Sequence, residues 1–310
     1  MKELWSLFDG SIIHHKTYMK KLLITGATGN VGERVIHFLK NNRQGFEILA
    51  CYRSEKDKAR LSKITDITPV FFDFEDIASI ELAINQCNIL FLLRPPHLTD
   101  VKKYFEPITH LAKKSGLEQI VFLSVQGAES STLIPHHKIE KLIVESGINF
   151  TFLRPAYFMQ NFTTTLKRDI LEKDEIFLPA GNAKFTLIDL NDVGKTTANI
   201  LTNNVLHINQ AYTLTNQEQL TFQQMAAILS EELGRKISFK SPNLLNFFIQ
   251  KRREKIPTAF ILVMIMLHYL PRFSSTPPTT DTVEKLIGSK PINFREFVKR
   301  ENSSLKSPSS

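Results

Sequence analysis

Leu22-Leu23-Ile24-Thr25-Gly26-Ala27-Thr28-Gly29-Asn30-Val31-Gly32 is the stretch that decides how this chain reads. A short apolar run enters a glycine-rich turn, and beyond it Val31, Val35, Ile36, Phe38 and Leu39 recur at helical spacing. A glycine trio alone is a weak signal. Set between a strand and a helix start, it lets the backbone turn tightly and approach an anion with no Cβ in the way. The helix start adds unpaired N–H groups and the positive end of its dipole, the combination that holds a pyrophosphate. Gly26, Thr28, Gly29, Asn30, Val31 and Gly32 are the candidate phosphate-binding residues.

The unit repeats downstream. Phe46–Cys51, Val70–Phe72, Ile89–Leu93, Ile120–Leu123 and Phe150–Leu153 read as strands, with helical stretches at 76–86, 101–115 and 136–146 between them. Continuous apolar strands separated by helices predict a parallel sheet covered on both faces. Right-handed crossovers then give a doubly wound α/β fold with its ligand crevice at the carboxyl ends of the strands. After Pro155 the alternation weakens. Asp192–Leu201 reads as a helix, Ala211–Leu214 as a strand, and Thr221 caps a helix that Gly234 ends. The expected division is an extension at 1–18, a dinucleotide-binding core at 19–160 that also uses about 183–217, a mostly helical substrate region at 218–300, and a tail at 301–310 whose last residues, Lys306–Ser310, read as frayed. The extension lacks apolar periodicity and precedes Met19.

Composition narrows the class. The 310 residues are 42% apolar and 23% charged, as in globular proteins, and 39 basic against 31 acidic residues leave a net charge of +8. That surplus favours anionic ligands without being concentrated enough to name a nucleic acid. Two cysteines, Cys51 and Cys87, exclude a disulfide framework and suit a reducing compartment, so the cytoplasm is expected. The longest apolar segment, Ala259–Leu267, lies between Pro257 and Pro271 and stops at His268, too short for a ~30 Å hydrocarbon core. It reads as a buried helix, and no membrane span is expected. No HExxH or CxxC spacing occurs, so no metal is expected. Lys251-Arg252-Arg253-Glu254-Lys255 reads as a solvated helix face, with an acidic partner or a membrane surface as the alternative.

Further motifs carry a resemblance. Leu153-Arg154-Pro155-Ala156-Tyr157-Phe158-Met159-Gln160-Asn161, Glu145-Ser146-Gly147-Ile148 before it, Asp192-Val193-Gly194, and Leu286–Pro291 with Phe294 and Phe297 together resemble the NmrA-like, atypical short-chain dehydrogenases over about residues 20–300. The resemblance implies an NAD(P)-binding Rossmann fold with a small C-terminal substrate region. The second strand closes on Tyr52-Arg53-Ser54 with no carboxylate before Glu55, where NAD-specific sites carry an acid for the ribose 2′-hydroxyl. Arg53, backed by Lys56 and Lys58, suits a 2′-phosphate, so NADP(H) is favoured over NAD(H). The resemblance also implies that Asp73 and Phe74 contact the adenine, and that Leu93 and Arg94 flank the adenosine ribose and pyrophosphate. Asp73 acting only as a helix cap is the alternative.

Short-chain dehydrogenases usually reduce carbonyls with a Ser, a Tyr and a Lys four residues after the Tyr, which passes a proton to the developing alkoxide. Ser124 sits where the resemblance implies the serine. His136 falls where relatives keep the Lys, and Thr132 where the Tyr would be. The missing pair argues against ordinary ketone chemistry. Reduction of a quinone is less demanding, because the hydroquinone anion is stabilised by resonance and a positioned cofactor beside an apolar slot suffices. Ser124, His136, His137 and Tyr157 are candidates to hydrogen-bond the quinone oxygen, with Pro155, Tyr157, Phe158 and the 258–270 helix walling the slot. A buried structural role for His136, in a stripe with Ile139 and Ile143, is the alternative. The expected function is NADPH-dependent reduction of a small apolar quinone-type or enal substrate. Its rival is a silent NADP-binding redox sensor that signals to a protein partner.

Overall fold

The computed structural model describes residues 19–41, 45–132 and 134–306, so the expected extension at 1–18 lies outside the described residues. The first half alternates strand and helix: β1 (Lys20–Ile24), α1 (Asn30–Asn41), β2 (Phe46–Tyr52), α2 (Glu55–Leu61), β3 (Thr68–Phe71), α3 (Ile77–Ile84), β4 (Ile89–Leu93), α4 (Val101–Lys114), β5 (Gln119–Leu123), α5 (Pro135–Ser146) and β6 (Phe150–Pro155). Next come β7 (Tyr157–Phe158), α6 (Lys167–Lys173), β8 (Glu175–Phe177), β9 (Lys184–Ile188), α7 (Leu190–Thr202) and β10 (Gln210–Leu214). The C-terminal part holds β11 (Gln219–Thr221), α8 (Phe222–Leu233), β12 (Ser238–Lys240), α9 (Leu244–Arg253), α10 (Thr258–Tyr269), α11 (Thr282–Ile287), α12 (Phe294–Arg300) and α13 (Asn302–Leu305).

Seven strands form one parallel sheet in the order β10-β6-β5-β4-β1-β2-β3. The order reverses between β1 and β4, which opens a crevice at their carboxyl ends. The apolar runs split between two faces by the period-two alternation of strands. Leu22, Ile24, Phe91, Val121 and Leu153 pack under α1 and α7, while Leu23, Leu90, Ile120 and Phe152 pack under α3, α4 and α5. Helices α1 and α7 meet closely because residue 194 is glycine; a Cβ there would stand 2.8 Å from Cβ of Arg34.

The C-terminal region has its own core, in which Phe162, Phe222, Phe294 and Phe297 are fully buried. Two ionic knots fasten it. Arg300 grips the buried Asp189 at the start of α7, and Lys251 grips the buried Asp169 of α6. Lys251 is therefore no part of a solvated face, contrary to the sequence reading. Two further expectations fail here. Residues 302–305, within the expected tail, are helical, and Leu305 is fully buried, with its carbonyl held by Arg235. In α10 only Ile261, Met264 and His268 are buried, so the helix read as buried has one face against the core and an apolar face outside. Among the described residues no helix is long and apolar enough to cross a membrane.

Candidate functional site

The glycine turn sits at the crevice. Gly26 has φ +61°, a left-handed conformation that favours glycine, and Gly29 N–H closes the turn onto Gly26 O at 3.0 Å. A Cβ on Gly32 would stand 2.2 Å from Gly26 O, so the helix start can lie against the turn only with glycine there. In the first turn of α1, the N–H groups of Asn30, Val31 and Gly32 have no acceptor within the helix and face the crevice end. Thr25 locks the turn to β4: its hydroxyl donates to Phe91 O at 3.1 Å and accepts from Leu93 N–H at 2.8 Å. Leu93 then lies 3.5 Å from where a Cβ on Gly26 would be, flooring the crevice. This glycine cradle fits a dinucleotide pyrophosphate.

Beyond the end of β2, Arg53 is exposed and makes no ion pair among the described residues. Lys58 lies over the Tyr52 ring and 3.8 Å from Glu55. Arg60, which the sequence reading passed over, donates to Thr28 O at 3.1 Å and to Glu33, buttressing the turn from outside. Asp73 is not a helix cap. Asp76 caps α3, and the Asp73 carboxylate accepts from Glu75 N–H at 3.0 Å. Phe74 packs edge-on to Phe72 and against Phe105 in the core. Arg94 is occupied as well, its guanidinium donating to the carbonyls of Pro95, Pro96 and Leu98 and so stapling the loop after β4.

Leu93, Leu123 and Leu153 are neighbours in register, so the residues just past β4, β5 and β6 share one end of the sheet. There Ser124 is buried and donates to Glu140 Oε1 at 2.5 Å. Arg154 clamps the same carboxylate through Nε at 3.0 Å and a terminal nitrogen at 2.6 Å. The carboxylate outcompetes any neutral acceptor for the Ser124 proton. One helical turn before Glu140, His136 packs with its ring tilted against Phe122 and accepts from Arg94 Nε at 3.5 Å through its Nε2. Its proton is therefore on Nδ1, which is buried and has no acceptor. Burial, reinforced by Arg94, lowers the His136 pKa to about 3 and keeps the ring neutral. His137 is spent on the Ala128 carbonyl at 2.7 Å.

Tyr157 lies apart from that cluster. Its hydroxyl bonds His268 Nε2 at 3.1 Å, and His268 Nδ1 donates to Met264 O at 2.6 Å, so the tyrosine is the donor of the pair. Burial pushes Tyr157 above the usual phenol range and lowers His268 to about 4. Phe185 and Phe222 complete the aromatic surround. Phe158 packs instead on the sheet core, so Tyr157 and Phe158 straddle the two cores just beyond Pro155. Glu140, Arg154 and His268 were absent from the sequence-derived list of reacting groups. Each carried a signal: a carboxylate in the Ile139–Ile143 stripe, a charge inside an apolar strand, and a polar break in the run Met264–Leu270.

Comparison with known proteins agrees with this architecture. Residues 18–285 match the model of the NmrA-like family, which stops short of the Leu286–Phe297 motif. NAD(P)H azoreductase of Xenophilus azovorans is 26% identical over 282 residues, 90% of this chain and 96% of that protein. Quinone oxidoreductase 2 of Escherichia coli is 25% identical over 280 residues, 89% and 97% of the two chains. Among solved structures, Citrobacter sp. triphenylmethane reductase complexed with NADP(H) superposes with a TM-score of 0.80 at 24% identity, covering 91% of this chain and 99% of the other. With a parallel Rossmann-like sheet, a glycine cradle at its switch point and a family match over most of its length, the chain belongs to the NmrA-like family.

Proposed function

We propose that this protein is an NADPH-dependent reductase of small apolar acceptors, quinones and enals foremost. NADPH bound along the crevice would supply a hydride to the acceptor. The pyrophosphate would rest on the N–H groups of Asn30, Val31 and Gly32, with Arg53 at the 2′-phosphate and the nicotinamide near Pro155. Named relatives that reduce quinones and azo compounds support this reading.

The observation that carries the choice of acceptor is where the protons are. Ser124 donates its hydroxyl hydrogen bond to Glu140, and Tyr157 donates its own to His268, so neither hydroxyl hydrogen is free. His136 Nδ1–H is buried and has no acceptor among the described residues, so its proton is uncommitted. A neutral imidazole and a raised phenol are poor proton sources for a simple alkoxide. They suffice for a hydroquinone anion, whose charge is already delocalised. The free thiols Cys51 and Cys87, with burial pushing Cys87 up to about 12, suit the cytoplasm.

Following NADPH oxidation at 340 nm should show turnover with small quinones and much slower turnover with simple ketones. Tyr157→Ala should slow the quinone reaction and leave NADPH affinity nearly intact. Tight NADPH binding with no turnover of any quinone or enal would refute the reductase. The committed protons of Ser124 and Tyr157 equally suit a silent redox sensor. Under that reading the apo and NADP-bound forms must differ in affinity for a protein partner, since a ligand shifts only what it binds unequally.

A further inference from the structure

Helix α10 is apolar on both sides, yet only one side is covered. Ile261, Met264 and His268 face the core, while Phe260, Leu262, Met266, Leu267, Leu270 and Phe273, on and just after the helix, are 39% to 72% exposed. At 100° per residue the exposed helical positions form one contiguous stripe opposite the buried one. A helix that is apolar all round belongs inside a protein or against a membrane. Such a contiguous patch marks an interaction surface, whereas scattered exposed leucines do not.

Charge says which surface. Glu254 is the sole carboxylate in residues 241–280, against Lys251, Arg252, Arg253, Lys255 and Arg272. Glu254 is already engaged by Lys251 at 2.9 Å and Lys173 at 2.6 Å. Arg252, Arg253, Lys255 and Arg272 are exposed and make no ion pair among the described residues. The first three end α9 and its turn, and Arg272 follows α10, so cations bracket the apolar stripe at both ends. Leu245 and Ile249 extend the exposed apolar surface onto α9, on the side that leads to Arg252.

We propose that the outward face of α10 docks onto an anionic lipid bilayer. The helix, at about 1.5 Å per residue, is far too short to cross ~30 Å of hydrocarbon, so it lies in the interface with its side chains dipping among the acyl chains. The bracketing cations meet anionic headgroups. A second copy of this chain is the poorer occupant, because a two-fold contact through α10 brings two uncompensated basic rims together. The docking stands apart from the reaction proposed above, since His268 and Tyr157 lie on the other side of the helix.

Vesicle co-sedimentation of the full chain tests this, with vesicles of phosphatidylcholine alone and of phosphatidylcholine mixed with phosphatidylglycerol. The chain should pellet with the anionic vesicles, be released by salt, and stay in solution with the neutral ones. Leu262→Gln, Met266→Gln and Leu267→Gln together replace only outward side chains and should abolish binding without lowering the melting temperature. Arg252→Gln with Arg253→Gln should weaken it about 25-fold, at about fivefold per basic residue at an anionic surface. The proposal is overturned by absence of binding, by equal binding to both vesicle types, or by wild-type binding in the triple variant. It is also overturned if the wild type is a dimer that the triple variant dissolves, which would assign the face to a second copy.

Discussion

Arg53→Ala is the substitution that most directly tests the cofactor reading. Arg53 follows the last residue of β2, is exposed, and makes no ion pair among the described residues. The nearby carboxylates do not compete for it: Glu55 faces Lys58 at 3.8 Å, and Asp57 accepts from Ser54 at 2.6 Å. Removing the guanidinium should thus leave the fold and its melting temperature unchanged. A charge-assisted hydrogen bond contributes about 1.5–3 kcal/mol, and at an exposed position solvent screening favours the lower end, about 1.5–2 kcal/mol. At about 1.4 kcal/mol per decade that is roughly a 10- to 30-fold rise in Kd for NADPH. NADH has no 2′-phosphate, so its Kd should not move. Fluorescence titration of both cofactors reads the two constants directly. Raising the salt concentration should erode the wild-type preference and leave that of the variant alone. Equal losses for both cofactors, or no loss for NADPH, would refute the assignment of Arg53 to the 2′-phosphate.

Gly32→Ala should abolish binding of both cofactors, because a Cβ 2.2 Å from Gly26 O pushes the helix start off the turn; overpacking of this kind costs about 1–3 kcal/mol, readable in urea melts. Asp192, raised by burial from 3.8 to about 6, binds its proton more tightly when folded, so this group's contribution to stability falls as pH rises from about 4 to 6. That loss is about 3 kcal/mol at most, and Asp192→Asn should lack it while keeping an acceptor for Ile292 N–H; an offset between the two proteins that stays constant from pH 4 to 7 would sink the idea. His136 at about 3 and His268 at about 4 remain neutral from pH 5 to 8, so the NADPH oxidation rate should show no histidine inflection there. Glu140→Ala strands Arg154 beside Glu129 alone at 3.4 Å and should cost about 3–5 kcal/mol, measured by chemical denaturation.

What the sequence determined by itself was the part written in local order. Strand runs, helical stripes and the glycines at 26, 29 and 32 each follow from neighbours a few residues apart, and they define the doubly wound sheet and its cradle. Gly194 was legible as a motif, but its reason, the close crossing of α7 on Arg34 of α1, exists only in three dimensions. The site chemistry was decided by tertiary structure, because hydrogen-bond partners are chosen among groups far apart in the chain. Ser124 meets Glu140 across 16 residues and Tyr157 meets His268 across 111, and those encounters fix which protons are free. Composition likewise named α10 as apolar without saying which half of it finds a partner. Periodicity tells a buried stripe from a polar one, but when every position is apolar only packing separates the covered face from the bare one.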